Sequence, residues 1–247
     1  MDTKEYGTIY SVEDNHWWYV ALRKLVLGFV DDVGRNKKGQ RILDAGCGTG
    51  GMLAECSAYQ TFGLDVSEEA LKFCRMRKLR NLSKGSICAL HFEDSFFTTV
   101  ISLDVLYHVG VSDDIKALKE FYRVMEHQGV LIMNLPAYNF LMSSHDKMNH
   151  TRHRYTLREL RKKVESAGFT VERITYRNTF LFPIASVMRL LKKVFPSRDG
   201  ERKSDLKPLP HVINRVLTDI LIWENKLIMR GLNFPFGLSI FCVARKN

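Results

Sequence analysis

Short apolar runs alternate with stretches of helical period along most of the chain. Residues 41–45 and 61–66 read as buried strands, and a helix over about 52–58 joins them into a βαβ unit. The alternation continues with a helix over 67–79 capped by Ser67, a weak strand over 86–90 and a buried strand over 99–104. A helix over 113–125 and a strand over 130–135 follow. Thr156 and Glu159 fit a capping box for a helix over 155–167 that stops at Gly168, and residues 171–176 and 238–244 supply the last strands. The pattern predicts an α/β fold: a doubly wound, seven-stranded, mostly parallel sheet.

Two stretches lie outside this minimal unit. Aromatic and apolar residues at helical spacing predict a helix over 10–34, ahead of the first strand. Between 178 and 235, two helical patterns flank a polar, basic stretch from 196 to 208. One pattern gathers Ile184, Val187, Met188, Leu191, Val194 and Phe195, the other Ile213, Val216, Leu217, Ile220, Leu227 and Ile228. Core packing or dimerisation is the default reading of those faces, and contact with a lipid surface is the alternative. We therefore expect one domain over 1–247, made of an N-terminal helical lid (1–34), a core (35–177), a helical insert (178–235) and a last strand (236–247).

Charge and cysteine content narrow the setting. The formal charge of +10 is concentrated late: residues 1–140 hold 16 Lys/Arg against 18 Asp/Glu, and residues 141–247 hold 21 against 9. A partner carrying phosphate or carboxylate groups would be attracted there, although a solvated surface explains the charge equally well. Five cysteines without a CxxC pair, and no secretory pattern at the N-terminus, point to a reducing cytoplasm. No apolar run reaches the ~18 residues that span a bilayer.

The most specific signal is Ile42-Leu43-Asp44-Ala45-Gly46-Cys47-Gly48-Thr49-Gly50. Its strand delivers side-chain-free backbone to the carboxyl edge of the sheet, where ligands of such folds bind. Asp65 ends the next strand, 15 residues after Gly50, placed to accept hydrogen bonds from both hydroxyls of a ribose. Asp44 at the mouth disfavours a pyrophosphate and suits a cation.

These features resemble the class I S-adenosylmethionine-dependent methyltransferases, as do the block Leu103-Asp104-Val105-Leu106-Tyr107-His108-Val109 and the strands opening at Gly129 and Gly237. The resemblance, to the bacterial small-molecule type, implies S-adenosyl-L-methionine as cofactor and S-adenosyl-L-homocysteine as product. It places Asp44, Gly46, Cys47, Gly48 and Gly50 around the methionine and ribose, Asp65 on the ribose hydroxyls, Val66 on the adenine, and Leu103 near the sulfonium. The usual acidic residue after the third strand is missing, so the adenine edge falls to Ser86 and the backbone around Ile87. The cluster His16-Trp17-Trp18-Tyr19, with Tyr6 and Tyr10, is similar to an aromatic lid. Within it Trp18 and Arg23 are assigned to the cofactor, Arg23 to its carboxylate, and Tyr10 and Trp17 to the substrate.

For the acceptor, His145, Asp146, His150, Arg154 and Tyr155 resemble an HD…H…R-Y pattern that similar methyltransferases carry just past the fifth strand, and His108 stands at the end of the fourth. We assign His108, His145, His150 and Tyr155 to catalysis and Asp146 and Arg154 to substrate binding. A metal site is not expected, since one tight loop offers no complete ligand set. A histidine network that fixes the loop is the other reading of this cluster. The expected activity is methyl transfer to an oxygen or nitrogen of a small molecule, with a sugar and an anionic or lipid-linked metabolite as candidates. A tRNA or rRNA methyltransferase and a non-catalytic S-adenosylmethionine-binding protein are the alternatives. The absence of an NPPY-like tetrapeptide and of an RNA-binding module disfavours nucleic acid. Peripheral membrane contact is kept open, and the expected state is a monomer or homodimer.

Overall fold

The computed structural model describes residues 3–34, 39–142, 146, 150–194 and 209–247. Two helices, α1 (Thr3–Val12) and α2 (Trp17–Gly34), precede β1 (Arg41–Ala45). Then come α3 (Gly51–Glu55), β2 (Gln60–Asp65), α4 (Glu68–Met76), β3 (Leu82–Lys84), β4 (Phe97–Leu103), α5 (Asp114–Val124) and β5 (Met125–Pro136). After them run α6 (Leu157–Ser166), β6 (Phe169–Arg177), α7 (Phe182–Val194), α8 (His211–Met229) and β7 (Ser239–Lys246).

The seven strands form one sheet in the order β3-β2-β1-β4-β5-β7-β6. Only β7 runs against its neighbours, so β6 is again parallel to β5. Ile42, Leu43, Val100, Ile101, Leu131, Ile132 and Phe241 are buried along the central strands, as runs covered by helices on both faces require. Chain order reverses between β1 and β4. The carboxyl ends of β1, β2, β4, β5 and β6 therefore share one edge, with the glycine loop at the switch point.

Local capping follows the sequence closely. Ser67 accepts from the Ala70 amide, Thr156 from that of Glu159, and Asp113 from those of Ile115 and Lys116. Four expectations need correction. The helix over 10–34 is two helices, because Glu13–His16 turn the chain so that Glu13 reaches the glycine loop. The third strand lies at 82–84, and Ser86 makes only an isolated bridge to Ala89. Glu159 does not complete a capping box, since its carboxylate pairs with His153.

The fourth correction concerns the insert. The face that α8 buries carries Leu221, Glu224, Asn225 and Ile228, while Ile213 and Val216 stand about half exposed, as do Ile184, Val187 and Met188 on α7. Of the two predicted faces, Ile228 is core and Leu227 packs against the core, while Ile184, Val187, Met188, Ile213 and Val216 are not core. Phe195 lies outside the described residues. What α8 packs on is α2: Asn225 donates to the Ala21 carbonyl at 2.7 Å, and a Cβ on Gly28 would lie 2.5 Å from the Met229 methyl. Lid and insert thus form one helical layer.

Replacing Asp113 by alanine leaves two amides at the head of α5 uncapped, and the expected loss is about 1 kcal/mol of unfolding free energy with an unchanged m-value. Urea denaturation checks it.

Candidate functional site

The loop after β1 is built by three glycines with left-handed backbone: φ is 94° at Gly46, 52° at Gly48 and 85° at Gly50. The three do different work. A Cβ on Gly46 would collide with Val105, and one on Gly50 would lie 2.6 Å from Leu79. A Cβ on Gly48 would meet nothing within 4 Å. Gly48 therefore faces open space, the candidate hollow, and the other two are demanded by the fold.

Carboxylates surround that hollow. Asp44 is 3% exposed, and burial, helped by the nearby Asp65 and Glu13, pushes its pKa up to about 8. Asp65 is also buried and raised by desolvation, against the amides that hold it: Gly48 donates to Oδ2 at 3.0 Å and Ser67 to Oδ1 at 2.8 Å. Each oxygen keeps a further lone pair, which leaves room for two hydroxyl donors. Val66 next to it is 61% exposed, an open apolar surface beside the hollow.

The N-terminal lid is bolted onto this loop by a network that sequence reasoning missed. Glu13 accepts from the Thr49 hydroxyl and pairs with Arg77, which also donates to the Thr49 carbonyl at 3.0 Å and pairs with Asp14. Tyr6 is buried beside Asp65 and Ser67, where desolvation and then the Asp65 charge raise its pKa. An acidic residue before an aromatic cluster was the available signal, but nothing in sequence links residue 13 to residue 49.

The other lid residues also have partners within the protein. Arg23 donates to the Glu13 carbonyl at 2.8 Å and to Glu55 at 3.2 Å, so it ties lid to α3. The Tyr10 ring packs on Phe73 and under the Arg77 guanidinium, on α4. The Trp17 amide donates to Asn214 on α8. Trp18 lies instead against the Arg177 guanidinium, 5.5 Å from ring centre to carbon. At the adenine end, Ile87 is buried, and the Ser86 hydroxyl accepts from the Cys88 amide at 3.2 Å. Cys47 is buried against Cys74, and Leu103, half-buried, ends β4.

The acceptor cluster separates into parts. Arg154 and Asp146 form a buried ion pair at 2.8 Å, which closes the loop past β5. His150 is exposed, its ring 5.7 Å from that of His108. His145 lies outside the described residues. Tyr155 is fully buried and donates to Asp114 at 2.9 Å, so it belongs to the core under α5 and not to a pocket. His108 is unsuited to the base role: its Nδ1 accepts from the Gly110 amide at 3.0 Å, which puts the proton on Nε2, and burial lowers its pKa to about 4. Its one acceptor lone pair is already engaged.

Asp104 is the group that sequence reasoning passed over, although it stands in the block that pointed to His108. It follows β4 with φ 57°, and both its oxygens accept from Asn134 Nδ2 at 3.1 Å. Burial raises its pKa to about 7, against the pull of Asn134, Arg177 and Arg154.

The glycines give a test that separates fold from site. Gly48→Ala places a methyl in the hollow at a backbone cost of about 1–2 kcal/mol. It should stay folded and lose affinity for S-adenosylhomocysteine. Gly46→Ala should lose stability itself, because Val105 blocks the methyl. Calorimetry of binding and thermal unfolding of both variants decide it, and equal behaviour would refute the assignment.

Residues 43–133 match the family profile described as a methyltransferase domain. An uncharacterized protein of Methanocaldococcus jannaschii is 31% identical over 121 residues, covering 44% of this chain and 52% of the relative. The ubiquinone biosynthesis O-methyltransferase of Bordetella parapertussis is 32% identical over 98 residues (36% and 40%). A mouse protein named "Probable tRNA methyltransferase 9B" is 32% identical over 98 residues (39% and 22%). The matches thus span about half of the archaeal relative's length and less of the others. Among solved structures, a SAM-dependent methyltransferase from Archaeoglobus fulgidus superposes with a TM-score of 0.55 at 19% identity, covering 91% of this chain and 94% of that one. Phosphoethanolamine N-methyltransferase 2 of Haemonchus contortus in complex with S-adenosyl-L-methionine gives 0.54 at 19%, covering 89% and 51%. At these identities the structures speak for the fold alone, and the sequence matches speak for the family. Residues 43–133 thus match a methyltransferase domain, and the fold is that of solved S-adenosylmethionine-dependent methyltransferases.

Proposed function

We propose that the chain transfers a methyl group from S-adenosylmethionine to an oxygen or nitrogen of a small molecule. The observation that carries this reading is the open side of Gly48, whose amide holds Asp65, beside the clustered carboxylates of Asp44, Asp65 and Glu13, which together would make a negative, side-chain-free seat suited to a sulfonium nucleoside. When bound, the cofactor supplies an electrophilic methyl. Asp65 would hold the ribose hydroxyls, Val66 would face the adenine, and Tyr6 with the Glu13–Arg77 lock would cover them and exclude water. Asp44 would release its proton as the cation arrives, so that one positive charge replaces another in a site that tolerates no bare anion.

Acceptor chemistry falls to Asp104. It ends the strand that faces the methyl, and its raised pKa keeps it near half-protonated at neutrality, ready to accept a proton from a hydroxyl or ammonium acceptor. Asn134 orients both oxygens. Tyr19 and Tyr107 lie near enough for the Asp104 charge to raise their pKa values, after the larger effect of burial, which leaves their hydroxyls as neutral donors. The free state of all five cysteines supports a reducing cytoplasmic setting, and among the described residues no helix is long and apolar enough to cross a membrane. A tRNA substrate is the second reading, favoured by the mouse relative and the basic C-terminal part. Incubation with methyl-labelled cofactor and either a metabolite extract or total tRNA separates the two, and tRNA binding that weakens steeply with salt would favour the second.

Two outcomes follow from the carboxylates. Because Asp44 has its pKa raised in the free protein, its protonated form dominates below about 8. Cofactor affinity should therefore climb up to about tenfold per pH unit towards that value and level off above it. The same group makes the free protein lose stability as pH rises from the unfolded carboxylate value of about 4 through about 8. Asp44→Asn should flatten the binding profile measured by calorimetry. Asp104→Asn should lower kcat by about 100- to 10,000-fold and remove an inflection at or below about 7, where activity rises with pH. Unchanged S-adenosylhomocysteine affinity would show that the seat is intact, and persistence of the inflection would rule Asp104 out.

A further inference from the structure

β6 ends at Arg177, on the same edge of the sheet as the glycine loop, because β6 and β5 are parallel. Arg177 is fully buried. Its Nε donates to Asn225 Oδ1 at 3.4 Å, a long bond, and both terminal nitrogens lack a hydrogen-bond partner among the described residues. The next side chain, Asn178, is also fully buried, with both amide atoms unpartnered.

Neighbouring acids do not close this gap. Glu224 and Asp104 are near enough to feel the guanidinium charge. Glu224, however, accepts from the backbone amides of Asn178, Thr179 at 2.8 Å and Phe180 at 3.3 Å, and so clamps the turn after β6. Asp104 is held by Asn134. Burial draws the Arg177 pKa down to about 10, so these two carboxylates only partly offset its desolvation. A buried guanidinium fork without acceptors is costly, and native structures keep such a group where something else pairs with it.

The fork itself says what that is. Its two terminal nitrogens present parallel N–H donors, the geometry that takes a carboxylate or phosphate in two bonds. The Trp18 ring lies within cation–π reach of the guanidinium, 5.5 Å from its carbon. Asp104 is close enough to Arg177, Tyr19 and Tyr107 for their charges to interact, so the fork stands near the group assigned to the acceptor's proton. We propose that Arg177 anchors a carboxylate or phosphate group of the methyl acceptor. The assignment rests on the methyltransferase reading for the position of the acceptor. It selects an anionic small molecule among the candidate substrates, and it does not depend on the surface charge of the C-terminal part.

The probes are benzoate and phenyl phosphate, with benzyl alcohol as the neutral analogue, titrated by calorimetry into the full chain with and without S-adenosylhomocysteine. Saturable binding of at least one anion is expected, with benzyl alcohol weaker by about 10-fold or more. Preference between benzoate and phenyl phosphate tells a carboxylate acceptor from a phosphorylated one. Arg177→Gln should weaken the anion by about 10- to 100-fold while S-adenosylhomocysteine affinity is kept, and Arg177→Lys, which retains charge but not the fork, should fall between. Failure of both anions to bind, or equal binding of benzyl alcohol, overturns the assignment in the unmodified protein, even if the variants do not fold. Equal anion affinity in Arg177→Gln overturns it too. Loss of S-adenosylhomocysteine binding in the unmodified protein counts against the methyltransferase reading alone, since the anion titrations are also read without the nucleoside.

Discussion

A carboxylate forced out of water at the end of β1 is the constraint around which this edge of the sheet is organised. Asp44 pairs in register with Gly63 on one side and Ile101 on the other, so its backbone cannot withdraw, and its side chain sits with Asp65 and Glu13. Three acids this close cannot all ionise cheaply. The fold answers with amide donors for Asp65, with Arg77 and Thr49 for Glu13, and with a proton for Asp44. Only Asp44 is left to be relieved by a ligand, and only a cation relieves it.

Much of this edge was legible in the sequence because it is local. A strand, a glycine loop and an acid at the end of the next strand lie within 24 residues, and their types and spacing carry the geometry. The roles of the three glycines differ in three dimensions, but all three share the positive φ that their identity suggests. Caps such as Ser67 and Asp113 are equally local. The third strand was misplaced because Leu82-Ser83-Lys84 has almost no apolar pattern: an edge strand of three residues is held by Gly63, Leu64 and Asp65 beside it, not by its own propensity.

Long-range pairings were not legible. Nothing at Glu13 predicts Thr49, and nothing at Asn225 predicts the carbonyl of Ala21. The insert shows the cost of reading periodicity alone. On α8 the predicted apolar face reaches the core only at its end, at Leu227 and Ile228, and the buried stripe there includes Glu224 and Asn225, two polar residues that satisfy backbone groups of the turn after β6 and of α2. Buried polar groups that complete another element's hydrogen bonds leave no hydrophobic signature. For the same reason Tyr155 read as a pocket residue: a tyrosine whose hydroxyl is met by a buried aspartate in the core has the same sequence appearance as one that meets a substrate.

The distribution of charge also bears on where acceleration can come from. The sulfonium is cationic before transfer and neutral after it, so carboxylates around the cofactor bind the starting state at least as well as the transition state. Such binding does not speed the chemical step. It does favour exchange of spent cofactor for fresh, since the product has lost the charge that Asp44 compensates. Rate enhancement must then arise on the other side of the methyl, from holding an acceptor lone pair in line and removing its proton. In this chain that side carries Asp104, oriented by Asn134, and the buried fork of Arg177. The cofactor seat is thus negative, while the acceptor side holds the unpartnered fork of Arg177, Arg154 being neutralised by Asp146, which suits a positive donor and a negative acceptor meeting between them.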